Sequence, residues 1–244
     1  MSYFADALKR TDHRALTKWR HYFDVYQREL GRYQGRDIRF LEIGIYKGGS
    51  IPMWTGFFGK GSHLVFADIE PGCRAHAEPS SHIEIGDQAD PEFLAEIVRK
   101  HGPFDVIIDD GGHRMHQQIT SFEHLWPALN DHGRYLVEDT HTSYWPGFGG
   151  GYREEASFIE YSKRLIDRMH SWYTDQDEIF PFDEIAREIL GVRFYDSVVV
   201  VEKHLKSEPP LMVFAHDGKA QGTRRGLHVR GRGSVFQGRD GSET

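Results

Sequence analysis

The stretch IRFLEIGIYKGGS, residues 38–50, decides how this chain folds. A short apolar run is followed by an acidic residue, Glu42, and by several glycines that precede Ser50. Glycine allows a tight turn and a close approach of the backbone to a ligand, and the free N–H groups of a helix that starts there attract negative charge. The stretch therefore predicts a buried strand that turns into a helix beside a ligand.

Further apolar runs follow, each closed by glycine or an acidic residue. They cover residues 63–67, 83–85, 104–108 and 133–137, with helix-like stretches such as 91–100 and 116–126 between them. Strands that alternate with helices predict an α/β fold, a doubly wound and mostly parallel sheet with helices on both faces. In such sheets ligands bind beyond the carboxyl ends of the strands, so the residues that close each run are the candidates for chemistry.

Two terminal segments flank this core. Residues 1–36 are predicted to be helical because apolar side chains recur there at spacings of three and four. These side chains are Leu16, Trp19, Phe23, Tyr26 and Leu30. We place the sheet domain at 37–205, with a helix over about 154–170, a shorter helix over 182–190, and a strand or tight hairpin over 192–202. Residues 206–244 are interpreted as a basic tail rich in glycine and arginine, typical of a flexible or partner-dependent arm.

Composition narrows the function. The 244 residues carry a formal net charge of −7, which argues against a general nucleic-acid-binding surface. A single cysteine, Cys73, excludes an internal disulfide and a cysteine-based zinc site. No stretch approaches the ~18 apolar residues of a membrane span, and the first dozen residues are polar. We therefore expect a cytoplasmic protein with no nucleic-acid or membrane partner.

The glycine turn indicates which cofactor binds. A dinucleotide site would need glycine at position 46, where this chain has Tyr46. The remaining pattern runs from Glu42 through Gly44 to Gly48, and it resembles the first motif of class I methyltransferases. That resemblance implies S-adenosylmethionine as the cofactor, an acidic residue that helps to orient its methionine ammonium, and glycines that face the nucleoside. We assign Tyr46 and Ser50 to the same site.

The next strand ends add to this prediction. Asp68 closes the second run, where an acidic side chain can accept both ribose hydroxyls. Asp87 and Gln88 close the third run, where class I methyltransferases typically contact the adenine, and Asp109 at the end of the fourth run is assigned to the same cofactor site. The alternative is that Asp68 and Asp87 are turn residues or helix caps, with Asp87 capping the helix that begins near Pro91.

Three carboxylates predict a metal site. Asp110 follows the fourth run, and Glu138 and Asp139 follow the fifth, so neighbouring strands would bring them to one rim of the sheet. Carboxylates this close repel one another unless a cation neutralises them, and oxygen ligands suit a hard ion such as Mg²⁺. In the alternative, each carboxylate caps a helix or pairs with Arg114 or Arg134.

A longer stretch carries a family resemblance. Residues 104–151, FDVIIDDGGHRMHQQITSFEHLWPALNDHGRYLVEDTHTSYWPGFGGG, resemble the macrolide-sugar O-methyltransferases of the mycinamicin and tylosin type. Related members act on nucleotide-linked or polysaccharide sugars, and some are labelled cephalosporin hydroxylases. With the first motif and FYDSVVVVEK at 194–203, the resemblance covers about residues 10–205. It implies a Rossmann-like methyltransferase fold with a seven-stranded sheet, and a homo-oligomer.

The resemblance also implies roles for individual residues. It makes Asp110, Glu138 and Asp139 the Mg²⁺ ligands and His113 the general base. The metal would lower the pKa of an acceptor hydroxyl, and a histidine titrates near working pH. His116 and His141 are rival bases. The N-terminal part departs from the family, which often has Ser/Thr-Asp-Lys where this chain reads TDH at 11–13.

The acceptor side is predicted after the fifth strand. Tyr144 and Trp145 begin a Gly-rich loop, about residues 144–152, and aromatic faces pack against the C–H surfaces of sugars. His141 is assigned to the same side. In the alternative, Trp145 is a core residue beside a turn. The arginines of the tail either attract an acidic acceptor, solvate the chain end, or cross to another subunit.

These patterns favour an Mg²⁺-dependent transfer of a methyl group from S-adenosylmethionine to a hydroxyl of a sugar, in a small molecule or an oligosaccharide. A catechol-type O-methyltransferase is the nearest rival, although that group tends to have Asp-Asn in place of Glu138-Asp139. An NAD-dependent oxidoreductase would need the missing dinucleotide motif. A non-catalytic cofactor-binding protein would have no need of His113 beside three carboxylates.

Overall fold

The computed structural model describes residues 3–7, 14–174, 176–207, 212–214 and 220–223. The strands of the main sheet are β1 (Arg39–Ile43), β2 (His63–Asp68), β3 (Ser81–Ile85), β4 (Phe104–Asp109), β5 (Leu129–Val137), β6 (Ile189–Tyr195) and β7 (Val198–Lys203). Their order is β3-β2-β1-β4-β5-β7-β6. The first five strands are parallel, and β7 runs antiparallel between β5 and β6. This confirms the doubly wound α/β fold with a seven-stranded sheet.

Helices cover both faces of the sheet. They are α1 (Tyr3–Ala7), α2 (Tyr22–Leu30), α3 (Ser50–Phe57), α4 (Pro91–His101), α5 (Met115–Leu125) and α6 (Phe158–His170). Side chains alternate across a strand, so Val106 and Ile108 of β4 pack with α1 to α3, while Ile107 packs with α4 to α6. Two apolar cores, one on each face, hold the strand ends of β1 to β5 in fixed positions. No helix in the described part of the chain is long and apolar enough to cross a membrane.

The prediction of one continuous apolar helical face near the N-terminus was wrong in part. Tyr26 and Leu30 are buried on α2 as expected. Leu16 and Trp19 precede α2, and Trp19 is 55% exposed. Residues 14–20 instead form an irregular segment, here called the strap, that lies across the glycine turn. The carbonyl of Ala15 is so close to this turn that a Cβ added at Gly49 would lie 2.5 Å from its oxygen.

The C-terminal elements also differ from the prediction. The long helix begins at Phe158 because the side chain of Ser157 accepts a hydrogen bond from the backbone N–H of Glu160 and caps it. The predicted helix over 182–190 is only a 3₁₀ turn at Glu184–Arg187, since β6 already begins at Ile189. The hairpin alternative for 192–202 is confirmed, with β6 and β7 joined at Asp196-Ser197.

Within the predicted tail, a second small sheet pairs β8 (Met212–Phe214) with β9 (Ala220–Thr223). The tail arginines, for which the sequence leaves three roles open, lie outside the described residues; they are Arg224, Arg225, Arg230, Arg232 and Arg239.

Candidate active site

A cavity of about 720 Å³ opens at the carboxyl ends of the parallel strands. Its walls come from the turns after β1, β2, β3, β4 and β5, with the strap closing one side. Successive strands run outward from β1 through β2 to β3, and the chain then crosses to β4 on the other side of β1. The cavity therefore lies at the point where the strand order reverses, which is where open α/β sheets bind their ligands.

Gly44 makes the floor of this cavity possible. Its φ of +86° is strained for other residues, and an added Cβ would lie 2.0 Å from the backbone oxygen of Asp110. Gly48, at φ +72°, is similarly close to the side chain of His76. The turn after β1 can thus approach its neighbours only because these positions lack a side chain. Gly44, Tyr46 and Ser50, three of the residues assigned to the cofactor, line the cavity, and Gly48 lies in the same turn.

Asp68 connects two strand ends. One carboxylate oxygen accepts hydrogen bonds from the backbone N–H groups of Ile45 (2.9 Å) and Tyr46 (3.0 Å), and the other accepts from Glu70 (2.9 Å). The carboxylate faces the cavity and keeps lone pairs for a ligand, so it can both fix the glycine turn and accept hydroxyl groups.

The residues after β3 and β4 divide into two groups. Asp87 and Gln88 line the cavity. Asp109 does not, because its fully buried carboxylate accepts hydrogen bonds from Gln88 Nε2 and the backbone N–H of Gly111. Gln88 also accepts from Gly112, so it braces the β4 turn. The capping alternative for Asp87 is wrong, since Asp90 caps α4.

Glu42 is also fully buried and does not line the cavity. Ser50 donates a 2.6 Å hydrogen bond to one of its oxygens, and the indole N–H of Trp54 donates to the other at 3.1 Å. Burial raises the pKa of Glu42 in spite of these bonds. A direct contact of Glu42 with the methionine ammonium stays a prediction. In this structure the cation beside Glu42 is a lysine ammonium of the protein itself.

That ammonium belongs to Lys18 of the strap. Its Nζ lies 2.7 Å from Asp110 Oδ2, 2.8 Å from Glu138 Oε2 and 3.6 Å from Glu42 Oε1. The side chain is 3% exposed. Burial alone would lower the pKa of Lys18, but Asp110 and Glu138 raise it well above its usual value. The lysine is therefore a charged internal partner of two predicted metal ligands.

The carboxyls beside Lys18 are difficult to ionise. Burial raises the pKa of Asp110 to about 7 and that of Glu138 to about 8, although Lys18 lowers both. The second oxygen of Glu138 accepts a short hydrogen bond from the hydroxyl of Tyr26. Glu138 is fully buried and does not line the cavity, so this structure brings Asp110 and Asp139 to the cavity and holds Glu138 behind them.

Asp139 and His113 face each other at the end of the cavity. His113 Nε2 lies 3.4 Å from Asp139 Oδ2, and both residues have positive φ, +55° and +52°. The hydroxyl of Tyr22 donates a 2.6 Å hydrogen bond to Asp139 Oδ1. Left-handed backbone at such residues is strained and persists where the surrounding structure imposes it. The ligand atoms of Asp110, His113 and Asp139 lie within 4.8 Å of one another, a spacing that can hold a metal ion.

The rival bases lie elsewhere. His116 is exposed on α5, and His141 contacts the hydroxyl of Ser197 at 2.5 Å through Nδ1. Neither lines the cavity. The ring of His141 packs between Trp19 and Trp145, at centroid distances of 5.9 and 4.7 Å.

The predicted acceptor loop lies beside these rings. Tyr144 and Trp145 are 48% and 49% exposed, so Trp145 is not a core residue. The loop folds back on itself through hydrogen bonds from Gly150 N–H to the Trp145 carbonyl and from Gly151 N–H to the Ser143 carbonyl. Its aromatic side chains border the site without entering the cavity.

Three residues outside the predicted site also shape it: Lys18, Tyr22 and Tyr26. In the sequence the tyrosines are only part of an apolar helical face. Their spacing of four on α2 places both hydroxyls on the side that faces Glu138 and Asp139. A polar atom at the tip of an apolar stripe was the signal that could have indicated a buried polar partner.

Several known proteins are similar to this chain in sequence. Residues 41–140 match the methyltransferase-domain family model. Demethylmacrocin O-methyltransferase of Streptomyces fradiae is 35% identical over 77% of this chain and 50% of its own. L-Olivosyl-oleandolide 3-O-methyltransferase of Streptomyces antibioticus is 40% identical over 70% of this chain and 47% of its own.

A solved structure shows the same likeness in three dimensions. MycE, a methyltransferase of the mycinamycin biosynthetic pathway solved in complex with Mg and SAH, superimposes with a TM-score of 0.73 at 32% identity. The match covers 84% of this chain and 54% of that one. The chain thus spans about half the length of the relatives it matches. Over that half, its sequence and fold are similar to those of class I methyltransferases, among them macrolide-sugar O-methyltransferases.

Proposed function

We propose that this protein transfers a methyl group from S-adenosylmethionine to a hydroxyl of a sugar or glycoside, with Mg²⁺ bound beside that hydroxyl. One observation carries the proposal: the cavity at the strand ends leads from Asp68 directly to His113 and Asp139. The carboxylate that we expect to bind the nucleoside and the histidine that we expect to act as the base thus line the same cavity.

The cavity suits the cofactor. Its volume of about 720 Å³ matches a site for a molecule of nucleotide size. Asp68 would accept the ribose hydroxyls, and Asp87 and Gln88 stand where the adenine would lie. Gly44 would leave room for the cofactor at the turn after β1, since a side chain there would meet Asp110.

The donor set suits a hard divalent cation. Asp110 and Asp139 offer carboxylate oxygens at the cavity, which is the ligand type that Mg²⁺ prefers. Glu138 is the third ligand that the sequence predicts. It lies behind the cavity wall, and its Oε2 is 2.8 Å from Lys18 Nζ. When bound, S-adenosylmethionine supplies an electrophilic methyl group and Mg²⁺ supplies charge that lowers the pKa of the acceptor hydroxyl.

The protein's own residues would then position the acceptor and take up its proton. His113 Nε2 points toward the carboxylates, so a hydroxyl held beside Asp139 would lie within reach of the ring. Asp139 is in turn fixed by Tyr22. Transfer forms an O–CH₃ bond, breaks the S–CH₃ bond, and leaves the hydroxyl proton on His113. In such a step, the alignment of the two reactants accounts for much of the rate enhancement.

The acceptor class rests on the relatives and on the aromatic rim. The matched proteins are named for methylation of demethylmacrocin and of L-olivosyl-oleandolide. Trp19 and Trp145 expose faces on which a sugar ring can pack. The homo-oligomer and the cytoplasmic location remain predictions from the sequence.

A methyl-transfer screen tests the proposal. Purified protein, S-adenosylmethionine and Mg²⁺ would be incubated with deoxysugar glycosides, nucleotide sugars, oligosaccharides and a catechol, and S-adenosylhomocysteine formation would be measured. We expect turnover with a glycoside, loss of that turnover in EDTA, and its return with added Mg²⁺. Turnover with the catechol alone would indicate a catechol-type O-methyltransferase instead. Turnover that resists EDTA would contradict the role of the metal.

A further inference from the structure

Lys18 occupies the place that a metal ion would need. Its ammonium lies 2.7 Å from Asp110 and 2.8 Å from Glu138, two of the three predicted metal ligands. One oxygen of each carboxylate is thus already bonded to a positive charge. The remaining oxygen of Glu138 is bonded to Tyr26.

Electrostatics make the lysine and the ion competitors. A lysine ammonium and a divalent cation this close would repel each other strongly in a site shielded from water. The same carboxylates need one cation to offset their burial, because an unpaired charge that is shielded from water is strongly unfavourable. The lysine and the ion therefore stabilise the same carboxylates and exclude each other.

The strap that carries Lys18 is attached at both ends. Arg14 donates a 2.7 Å hydrogen bond to the carbonyl of His76, and His21 contacts the carbonyl of Asp196 at 2.9 Å. Between these points Ala15, Leu16, Thr17 and Lys18 line the cofactor cavity. Because Lys18 itself forms part of this wall, its withdrawal from the carboxylates changes the shape of the cavity.

We propose that Lys18 is an internal counter-ion that closes the metal site, and that a divalent cation binds by displacing it and shifting the strap. This inference rests on the proposed metal role of Asp110, Glu138 and Asp139, and it extends that role by naming the group that regulates it. Metal loading and the wall of the cofactor cavity are then coupled through one side chain.

The test measures metal affinity without any methyl transfer, with Mn²⁺ as the probe and free Mn²⁺ read by electron paramagnetic resonance. K18M should bind Mn²⁺ more tightly than the unmodified protein, on the order of 5–150-fold, the usual range of coupling between two ligands. K18R keeps the charge and should stay near the original affinity. Equal or weaker binding by K18M, or no Mn²⁺ binding by either protein, overturns the proposal.

Two control variants show whether Mn²⁺ binds at the predicted metal site. K47M removes another lysine of the same cavity, one that lies over the Tyr46 ring at 5.2 Å, and should leave the Mn²⁺ affinity unchanged. D139N should abolish the tight binding in K18M. This variant separates the site from Asp131, His132 and His204, whose ligand atoms also cluster within 4.8 Å.

A measurement on the unmodified protein covers the case in which K18M does not fold. Trp19 follows Lys18 directly and is 55% exposed, so its emission should change when Mn²⁺ moves the strap. W19F should remove that change. Amide hydrogen exchange of residues 15–20 should rise with Mn²⁺, and unchanged exchange would contradict displacement. Failure to find an acceptor would defeat the proposed function but would leave these metal measurements standing.

Discussion

His113 Nε2 lies 3.4 Å from Asp139 Oδ2, while Nδ1 of the same ring is buried and has no hydrogen-bond partner among the described residues. The ring is therefore positioned by its strained backbone and by packing more than by hydrogen bonds of its own. The hydroxyl of Thr142, which donates to the carbonyl of His113 at 2.9 Å, fixes that backbone.

Replacement of His113 tests its role as the base. H113A should lower methyl transfer by roughly 10²–10⁴-fold, the usual contribution of a positioned base, because no other histidine in the described part of the chain lines the cavity beside Asp139. Binding of S-adenosylhomocysteine, measured by calorimetry, should persist. H116A removes an exposed histidine three residues away and serves as the control. Full activity in H113A would rule out this histidine as the base.

Replacement of Asp68 tests the cofactor site. An asparagine at this position has no charge and only one acceptor oxygen. That oxygen cannot accept hydrogen bonds both from the N–H groups of Ile45 and Tyr46 and from the ligand hydroxyls. Since a hydrogen bond to a charged group contributes about 1.5–3 kcal/mol, D68N should weaken S-adenosylhomocysteine binding by roughly 10–100-fold. E70Q removes a charge from the same rim and should bind nearly normally. An unchanged dissociation constant in D68N would place the cofactor elsewhere.

Replacement of Gly44 tests the close approach of β1 and β4. Any side chain in left-handed backbone costs about 1–2 kcal/mol, and G44A adds a Cβ 2.0 Å from the Asp110 oxygen. G35A has a similar φ, +71°, with no atom within 4 Å of the new Cβ. Urea unfolding should therefore show G44A less stable than G35A by about 2 kcal/mol or more. Equal stability would mean that the strand ends separate easily.

A histidine cluster at the opposite end of the sheet predicts acid sensitivity. His63 Nε2 lies 3.0 Å from His101 Nδ1, and the rings of His63 and His82 are 4.5 Å apart. Burial, together with the charges of His82, Arg39 and His101, lowers the pKa of His63 from 6.5 to about 4. Glu84 also contacts this cluster, because its Oε1 lies 2.8 Å from His101 Nε2.

The sign of the pH effect follows from that lowered pKa. Between pH 6.5 and 4 the unfolded chain binds a proton at His63 that the folded protein does not. The stability that neutral His63 contributes is complete above pH 6.5 and is lost as the pH falls toward 4. H63Q should flatten the fall of the urea midpoint in this window, and H124Q, on the exposed side of α5, should not. Identical slopes in H63Q and the unmodified protein would contradict this linkage.

Much of the site could be read from the chain because it depends on local pattern. Each apolar run that alternates with a helix becomes a parallel strand, and parallel strands bring their carboxyl ends to one edge. The order of the runs alone therefore places Asp68, Asp110 and Asp139 together. Gly44 can be placed in the same way, since only a residue without a side chain fits where two strand ends meet.

Tertiary structure alone decided the partners of the buried charges. Lys18 is 92 residues from Asp110 and 120 from Glu138 in the chain, and no local pattern relates them. The apolar spacing around Lys18 favoured a helix, but the ion pairs formed in the folded protein hold residues 14–20 as a strap. Sequence determined which side chains meet at the sheet edge. Only the fold determined which of them face the cavity and which are held behind it, because burial and charge pairing depend on contacts between distant segments.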